Sequence, residues 1–449
     1  MVIGASTTPG KIGHEVFRSL LQNGFKGEII PVNPFREEIL GVKTIKEMSA
    51  LDKTIDLAVQ VVDFRKTPEL VKKAWEKGAK AYIVISGGGK ETGIDEVTKI
   101  EKETSILASK LGISVLGPNC VGVFSGKSRI DTFFHPIERM LRPEDGNLAV
   151  LAQSGTYGVS ILEEAARLGI GISKFISYGN KLDIDESDML EYLTNDEATK
   201  VIILYLEALG ESTGRKFFNV VVNLTKKKPL LLIKSCKTQE SATASLSHTG
   251  WFGGSWDVMK GVLKQSGAIV VDSIDGALVA TKALQSQPLP KGNRIAMVSN
   301  GAGPMLTALD HFPSQDLLLA PLSQHSLKRM NEQFPPFFSC VNPVDVTGSA
   351  TDEDYAFTLL LFQDDPNVDI IMPWFVMQDS PLAHGNVLID ALMEVSQKKP
   401  IIGGAMGAIF TEEKIQELER ETGIPFAKTV DSWVVAAFAL YQHAKTVIT

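Results

Sequence analysis

His248 lies in the run Ser245-Leu246-Ser247-His248-Thr249-Gly250, with Gly253-Gly254-Ser255 close behind. A lone imidazole among small, hydroxyl and glycine residues predicts a mobile loop that carries a nucleophile or a proton. The plain alternative is a surface histidine. Glu207 ends the apolar run Val201-Ile202-Ile203-Leu204-Tyr205-Leu206. A carboxylate at a strand end can hydrogen-bond one imidazole nitrogen, which fixes the tautomer and leaves the other nitrogen nucleophilic. It can also be no more than a solvated acid. Two anion-binding turns tilt the balance. One is Gln153-Ser154-Gly155-Thr156 after Leu151-Ala152, and the other is Asn300-Gly301-Ala302-Gly303 after Val298-Ser299. Each reads as strand, small-residue turn and helix N-terminus. Such a terminus offers uncommitted N–H donors and roughly half a positive charge. Two of them facing one point would hold a dianionic phosphoryl group without a metal.

The chain opens with a third such turn, Ile3-Gly4-Ala5-Ser6-Thr7-Thr8-Pro9-Gly10-Lys11-Ile12-Gly13. Glycine here would let backbone approach an anion. The spacing departs from the dinucleotide fingerprint, and Asn33-Pro34 after the next strand provides no acid for a ribose. A nicotinamide oxidoreductase is therefore the weaker reading. Ser86-Gly87-Gly88-Gly89 and Gly117-Pro118-Asn119-Cys120 each follow a short apolar strand. In an open parallel sheet these turns would fall at the carboxyl edge, where ligands bind.

Apolar β runs alternate with amphipathic helical stretches throughout, the rhythm of βαβ units and parallel sheets. Breaks near Arg142-Pro143 and at Gln285-Ser286-Gln287-Pro288 divide the chain into 1–142, 146–285 and 291–449. The second and third blocks look like copies. Asn147 to Gly155 aligns with Asn293 to Gly301, and Lys200 to Glu207 aligns with Asp369 to Val376. The third block has Val376 where the second has Glu207, and nothing matching the His248 segment. The copies share a scaffold but not a chemistry, which ties Glu207 to His248.

The 449 residues carry a net charge of −8, which argues against nucleic-acid or anionic-membrane binding. Three cysteines give no disulfide framework and no metal-ligand spacing, so no metal site is expected and a reducing cytoplasm is the natural setting. No apolar run is long enough to span a bilayer.

Taken together, Ser247-His248-Thr249-Gly250, Gln153-Ser154-Gly155, Gly179-Asn180-Lys181, Asn342-Pro343-Val344-Asp345 and Gly117-Pro118-Asn119-Cys120 resemble the α subunit of nucleoside-diphosphate-forming acyl-CoA synthetases, relatives of succinyl-CoA synthetase. The resemblance covers nearly the whole chain. It implies an α/β fold with an N-terminal Rossmann-like CoA-binding domain and two flavodoxin-like ligase domains. It implies reversible conversion of acyl-CoA, phosphate and ADP to acid, CoA and ATP. His248 would take the phosphoryl group from an acyl phosphate and Glu207 would orient it. Gln153, Ser154, Gly155 and Thr156, with Asn300, Gly301, Ala302 and Gly303, would cradle the phosphate. Gly4, Ser6, Thr7, Pro9, Lys11, Asn33, Pro34, Ser86, Gly87, Pro118 and Asn119 would bind CoA. ATP or ADP, with Mg, would sit on a separate ATP-grasp β subunit, in an α2β2 assembly. The sequence departs from the family pattern before Gly4, at Val61-Val62-Asp63, at Ser241 and Thr243, and at Trp251-Phe252. A non-catalytic CoA-binding regulatory protein is the rival reading. Intact His248 and Glu207 count against it.

Overall fold

The computed structural model describes residues 1–249 and 255–448, with side chains throughout except at 245–249 and 448. It divides into two compact units, Met1–Val270 and Val271–Thr449.

The first unit contains two sheets. Five parallel strands run in the order Pro31–Val32, Val2–Ile3, Leu57–Gln60, Ala81–Val84, Ser114–Leu116. Beside it are six strands in the order Ile269–Val271, Leu230–Lys234, Val201–Leu206, Asp145–Ala152, Ile172–Ser177, Gly122–Ser125. The last of these is antiparallel to its neighbour. Val201–Leu206 is buried along its whole length. This explains why it reads as an unbroken apolar run: a central parallel strand is covered on both faces. The two sheets share one continuous apolar core, in which Val2, Phe17, Ile83 and Leu116 join Leu151, Leu204, Phe217 and Leu232. That shared core sets the two sheet edges against each other.

The second unit holds the strand order Leu318–Leu319, Arg294–Ser299, Ile370–Trp374, Gly403–Gly404, Phe426–Ala427, all parallel. Val344–Asp345 pairs with the end of Arg294–Ser299. The helices Ile274–Ser286 and Val430–Ile448 pack together on this sheet, and Trp374 and Trp433 meet edge to face at 5.1 Å.

With the antiparallel Gly122–Ser125 and the off-path Val344–Asp345 set aside, all three sheets have the order 2-1-3-4-5 by their own strands. The chain reverses winding direction between strands 1 and 3, and ligands bind at the carboxyl end of that switch point. The internal copy seen in the sequence therefore has a shared topology. Three placements differ from the periodicity. Gly122–Ser125, read with the first block, completes the sheet of the second. Ile274–Ser286, read as the end of the second block, packs with Val430–Ile448 instead, so the units part ahead of the linker at 285–292. The segment before His248, expected as a loop, is the helix Gln239–Thr249. It contains no glycine or proline, and alanines at 242 and 244 favour the helix enough to outweigh its many hydroxyl residues.

Candidate active site

In the first unit the second sheet's switch point lies between Asp145–Ala152 and Val201–Leu206. Gln153 leaves the first of these strands and Glu207 leaves the second. The buried Gln153 side chain ties the two together. Its Oε1 accepts from the backbone N–H of Glu207 at 3.0 Å and of Ala208 at 3.2 Å. Ser154 is the N-cap of the helix Gly155–Arg167, its hydroxyl accepting from Tyr157 N at 3.4 Å. Gly155 sits where any Cβ would come within 2.5 Å of Val121. Tyr157 in the first turn stacks on Tyr205, ring centroids 4.3 Å apart.

These groups face a cavity of about 310 Å³. Gln153, Ser154, Gly155, Thr156 and Glu207 line it from the second sheet, and Ser86, Gly87 and Asn119 line it from the first. The predicted phosphate turn, part of the predicted CoA set and the predicted carboxylate thus meet at one place. Two buried polar atoms on its wall have no hydrogen-bond partner among the described residues, Gln153 Nε2 and Ser86 Oγ. Polar atoms in that state are costly unless a ligand or water meets them.

The Tyr178-Gly179-Asn180-Lys181 turn lines the cavity through Gly179 and Asn180. Asn180 knots the two sheet edges. Its N–H donates to Pro118 O at 2.9 Å, its O accepts from Lys90 Nζ at 2.7 Å, and Asn119 Nδ2 donates to its Oδ1 at 3.4 Å. Gly179 has a positive φ of 55°, and a Cβ there would meet Pro118 O at 2.2 Å. Burial brings the Lys90 ammonium down to about 8.

His248 belongs to the helix Gln239–Thr249, which lies against the Lys90–Thr92 turn beside Asn180. Its side chain, like residues 250–254, lies outside the described residues.

Other predicted residues stand apart from the cavity. Ser6, Thr7, Pro9 and Lys11 occupy the turn after Val2–Ile3, and the last three are exposed. Gly4 takes a φ of +95° there, and a Cβ on it would lie 2.5 Å from Val62. Gly10 N is already spent on Glu15 Oε1 at 2.8 Å. Asn33 is also committed, donating to Ala5 O at 2.8 Å and accepting from Phe35 N at 2.8 Å, while the neighbouring Pro34 is exposed. The 86–89 turn is less open to anions than its glycines suggest: Glu91 Oε1 accepts from Gly88 N at 2.6 Å and Gly89 N at 3.1 Å. Glu91 escaped sequence reasoning, because an acid two residues past a glycine run looks solvated.

Asn300, Gly301, Ala302 and Gly303 lie in the second unit and run from the end of Arg294–Ser299 into the helix Ala302–His311. Asn300 N donates to the Tyr355 hydroxyl at 2.8 Å and Gly301 N to Ser299 Oγ at 3.1 Å. The first two predicted phosphate donors therefore serve the fold. Ala302 and Gly303 head a helix with no side-chain cap. Among the described residues, no group of three or more His, Cys, Asp or Glu is placed to hold a metal ion, and no helix is long and apolar enough to cross a membrane.

Three family models match the chain in succession: a CoA binding domain at 1–125, a succinyl-CoA ligase like flavodoxin domain at 145–284, and a Ligase-CoA domain at 297–449. The α subunit of acetate–CoA ligase [ADP-forming] II of Pyrococcus furiosus is 37% identical over 99% of this chain and 96% of its own length. The chain belongs to the family of ADP-forming acetate–CoA ligase α subunits. The α subunit of the P. furiosus enzyme I is 33% identical over the same shares. The family's architecture holds across the fold as well. A structure described as Ca. Korarchaeum cryptofilum dinucleotide forming acetyl-coenzyme A synthetase 1, in complex with phosphate and ADP, superposes with a TM-score of 0.88 at 32% identity. It covers 100% of this chain and 96% of that one.

Proposed function

We propose that this chain is the α subunit of an ADP-forming acid–CoA ligase. Acyl-CoA, phosphate and ADP give free acid, CoA and ATP, reversibly, by way of an acyl phosphate and phospho-His248. The observation that carries the reading is the cavity in the first unit, where two parallel-sheet edges bring Ser86, Gly87 and Asn119 against Gln153, Ser154, Gly155, Thr156 and Glu207. The fit to CoA rests on the same wall. Gly87 leaves little room for a side chain, since a Cβ would stand 3.2 Å from Glu91 Oε1 and 3.3 Å from Asn119 Oδ1. Ser86 Oγ is a buried polar atom with no partner among the described residues. Bound CoA supplies the thiol that carries the acyl group.

The residues of the chain do the rest. The N–H groups heading the helix Gly155–Arg167 favour phosphate at Gly155 and Thr156. Gln153 Nε2 provides one more donor to an oxygen on the reacting group. An imidazole nitrogen of His248 forms a bond to phosphorus as the bond to the acid's oxygen breaks, and the free carboxylate leaves with that electron pair. Glu207 accepts the hydrogen bond from the other ring nitrogen and so stabilises the charge the ring acquires. An oxygen of ADP later displaces the imidazole. The nucleotide, with Mg, belongs on an ATP-grasp β subunit, in keeping with the subunit naming of the relatives. Gly4, Ser6, Thr7, Pro9, Lys11, Asn33, Pro34 and Pro118 complete the proposed CoA surface, and of the predicted Asn300 to Gly303 turn the uncapped helix head at Ala302 and Gly303 is kept as a phosphate site. We divide the chain functionally at 1–142, 146–285 and 291–449, and place it in the cytoplasm.

The test is ATP formation by the reconstituted pair, from ADP, phosphate and a panel of acyl-CoA thioesters. At least one thioester should support it, and His248→Ala should abolish it. Synthesis that persists in His248→Ala, or a panel that yields no ATP, overturns the proposal.

A further inference from the structure

The peptide groups of Glu207 and Ala208 are held by side chains from three other elements. Gln153 Oε1 accepts both N–H groups. Lys234 Nζ donates to Glu207 O at 2.5 Å and also to Ser235 O. Lys181 Nζ donates to Ala208 O at 2.6 Å. Lys181 also pairs with Glu186 at 3.2 Å, and both side chains are sealed from solvent. Lys181 sits at a φ of 59°, a conformation a non-glycine residue adopts only when its surroundings impose it. Lys234 ends the strand Leu230–Lys234 and lies in register with Leu206, one residue before Glu207.

Burying ammonium groups is costly, and ordinary turns satisfy their carbonyls with backbone or water. The second unit makes the corresponding turn more cheaply. There the Asn300 amide reaches both main-chain groups of Val376, N–H to Oδ1 at 2.8 Å and O to Nδ2 at 3.0 Å, and the carbonyl also accepts from Asp379 N at 3.2 Å. Lysines brace this turn in the copy whose residue is a carboxylate.

We propose that Lys234 and Lys181 are positioning residues for Glu207: they fix its main chain at the cavity edge so that the carboxylate meets the phosphorylated imidazole in one orientation. The inference rests on the proposed role of Glu207. Lys234 is faced by Glu207, by Cys236 and Lys237 on the following turn, and by Lys181 from the 178–181 turn. Burial outweighs the acidic neighbours and brings its ammonium down to about 8. The charged form is the stronger donor, so the brace is intact below about pH 8 and weakens as pH rises through that value.

The experiment is single-turnover labelling of His248 by acetyl-CoA and radiolabelled phosphate, followed across pH. Wild type should label with an alkaline limb near pH 8. Lys234→Met should label about tenfold more slowly below about pH 8, with that limb gone so that the two rates converge at higher pH, and with the KM for acetyl-CoA within about twofold. Lys234→Arg should restore most of the rate and push the limb upward. Lys181→Met alone would strand Glu186, so it is combined with Glu186→Gln, and the pair should also slow labelling. Wild-type rate and pH profile in Lys234→Met overturn the inference while leaving the role of the site standing. So does an arginine variant no better than methionine, which would mark a packing role. Absence of label on the wild type overturns the role of the site, and this inference with it.

Discussion

The middle and C-terminal sheets put the same device at the same topological position and use it differently. In both, an amide side chain after the first strand grips the turn after the third. Asn300 spends its whole amide on the fold. Its Oδ1 accepts from Val376 N at 2.8 Å and the Tyr355 hydroxyl at 2.7 Å, and its Nδ2 donates to Val376 O at 3.0 Å and Asp379 at 2.9 Å. Gln153 spends only its oxygen, and its Nε2 has no partner among the described residues on the cavity wall. The residue gripped is an apolar Val376 in one case and Glu207 in the other. A duplicated scaffold thus holds one amide spent wholly on the fold and one with a donor left for a ligand.

Substitutions at these paired positions should separate the two roles. The largest effect is expected from Glu207→Gln, which should slow phosphohistidine formation by about three orders of magnitude in rapid-quench labelling while unfolding normally. Asn300→Leu should do the reverse. Losing four hydrogen bonds, among them the one that satisfies the Val376 N–H, should cost about 3 kcal/mol in denaturant unfolding of the second unit. Gln153→Leu should slow labelling by about a hundredfold, because it removes both the grip on Glu207 and a donor to the reacting group. Ser154→Ala should cost about 1 kcal/mol as a lost N-cap, read by thermal unfolding. Val376→Glu should add no second phosphorylated site, as judged by label stoichiometry. A gain there would mean that the carboxylate alone makes the difference between the copies.

Much of this was legible before any coordinates. Ser154-Gly155 after an apolar run marks a capped helix start, and Glu207 stands out as an acid ending six apolar residues. The duplication shows because buried parallel strands keep their apolar runs. What was not legible depends on tertiary burial. Lys234 at a strand end looks like a solvated terminus, and only its folded neighbours reveal an ammonium aimed at Glu207 O. Lys181 and Glu186 pair across a turn that the sequence shows only as polar. Glu91 fills glycine N–H groups that, from sequence, look free for an anion. The 245–249 segment reads as a loop because serine and glycine surround it, yet no breaker falls within the helix itself. The helix Ile274–Ser286 has a clear pattern, but its partner is Val430–Ile448, far along the chain.

The most direct test is a peptide map of the chain after brief exposure to acetyl-CoA and phosphate, quenched in base to preserve phosphohistidine. One phosphoryl group on the peptide containing His248, absent when Gln153 and Glu207 are both replaced, is the result expected. Phosphate on any other residue, or label on His248 that survives the loss of both, would contradict the account.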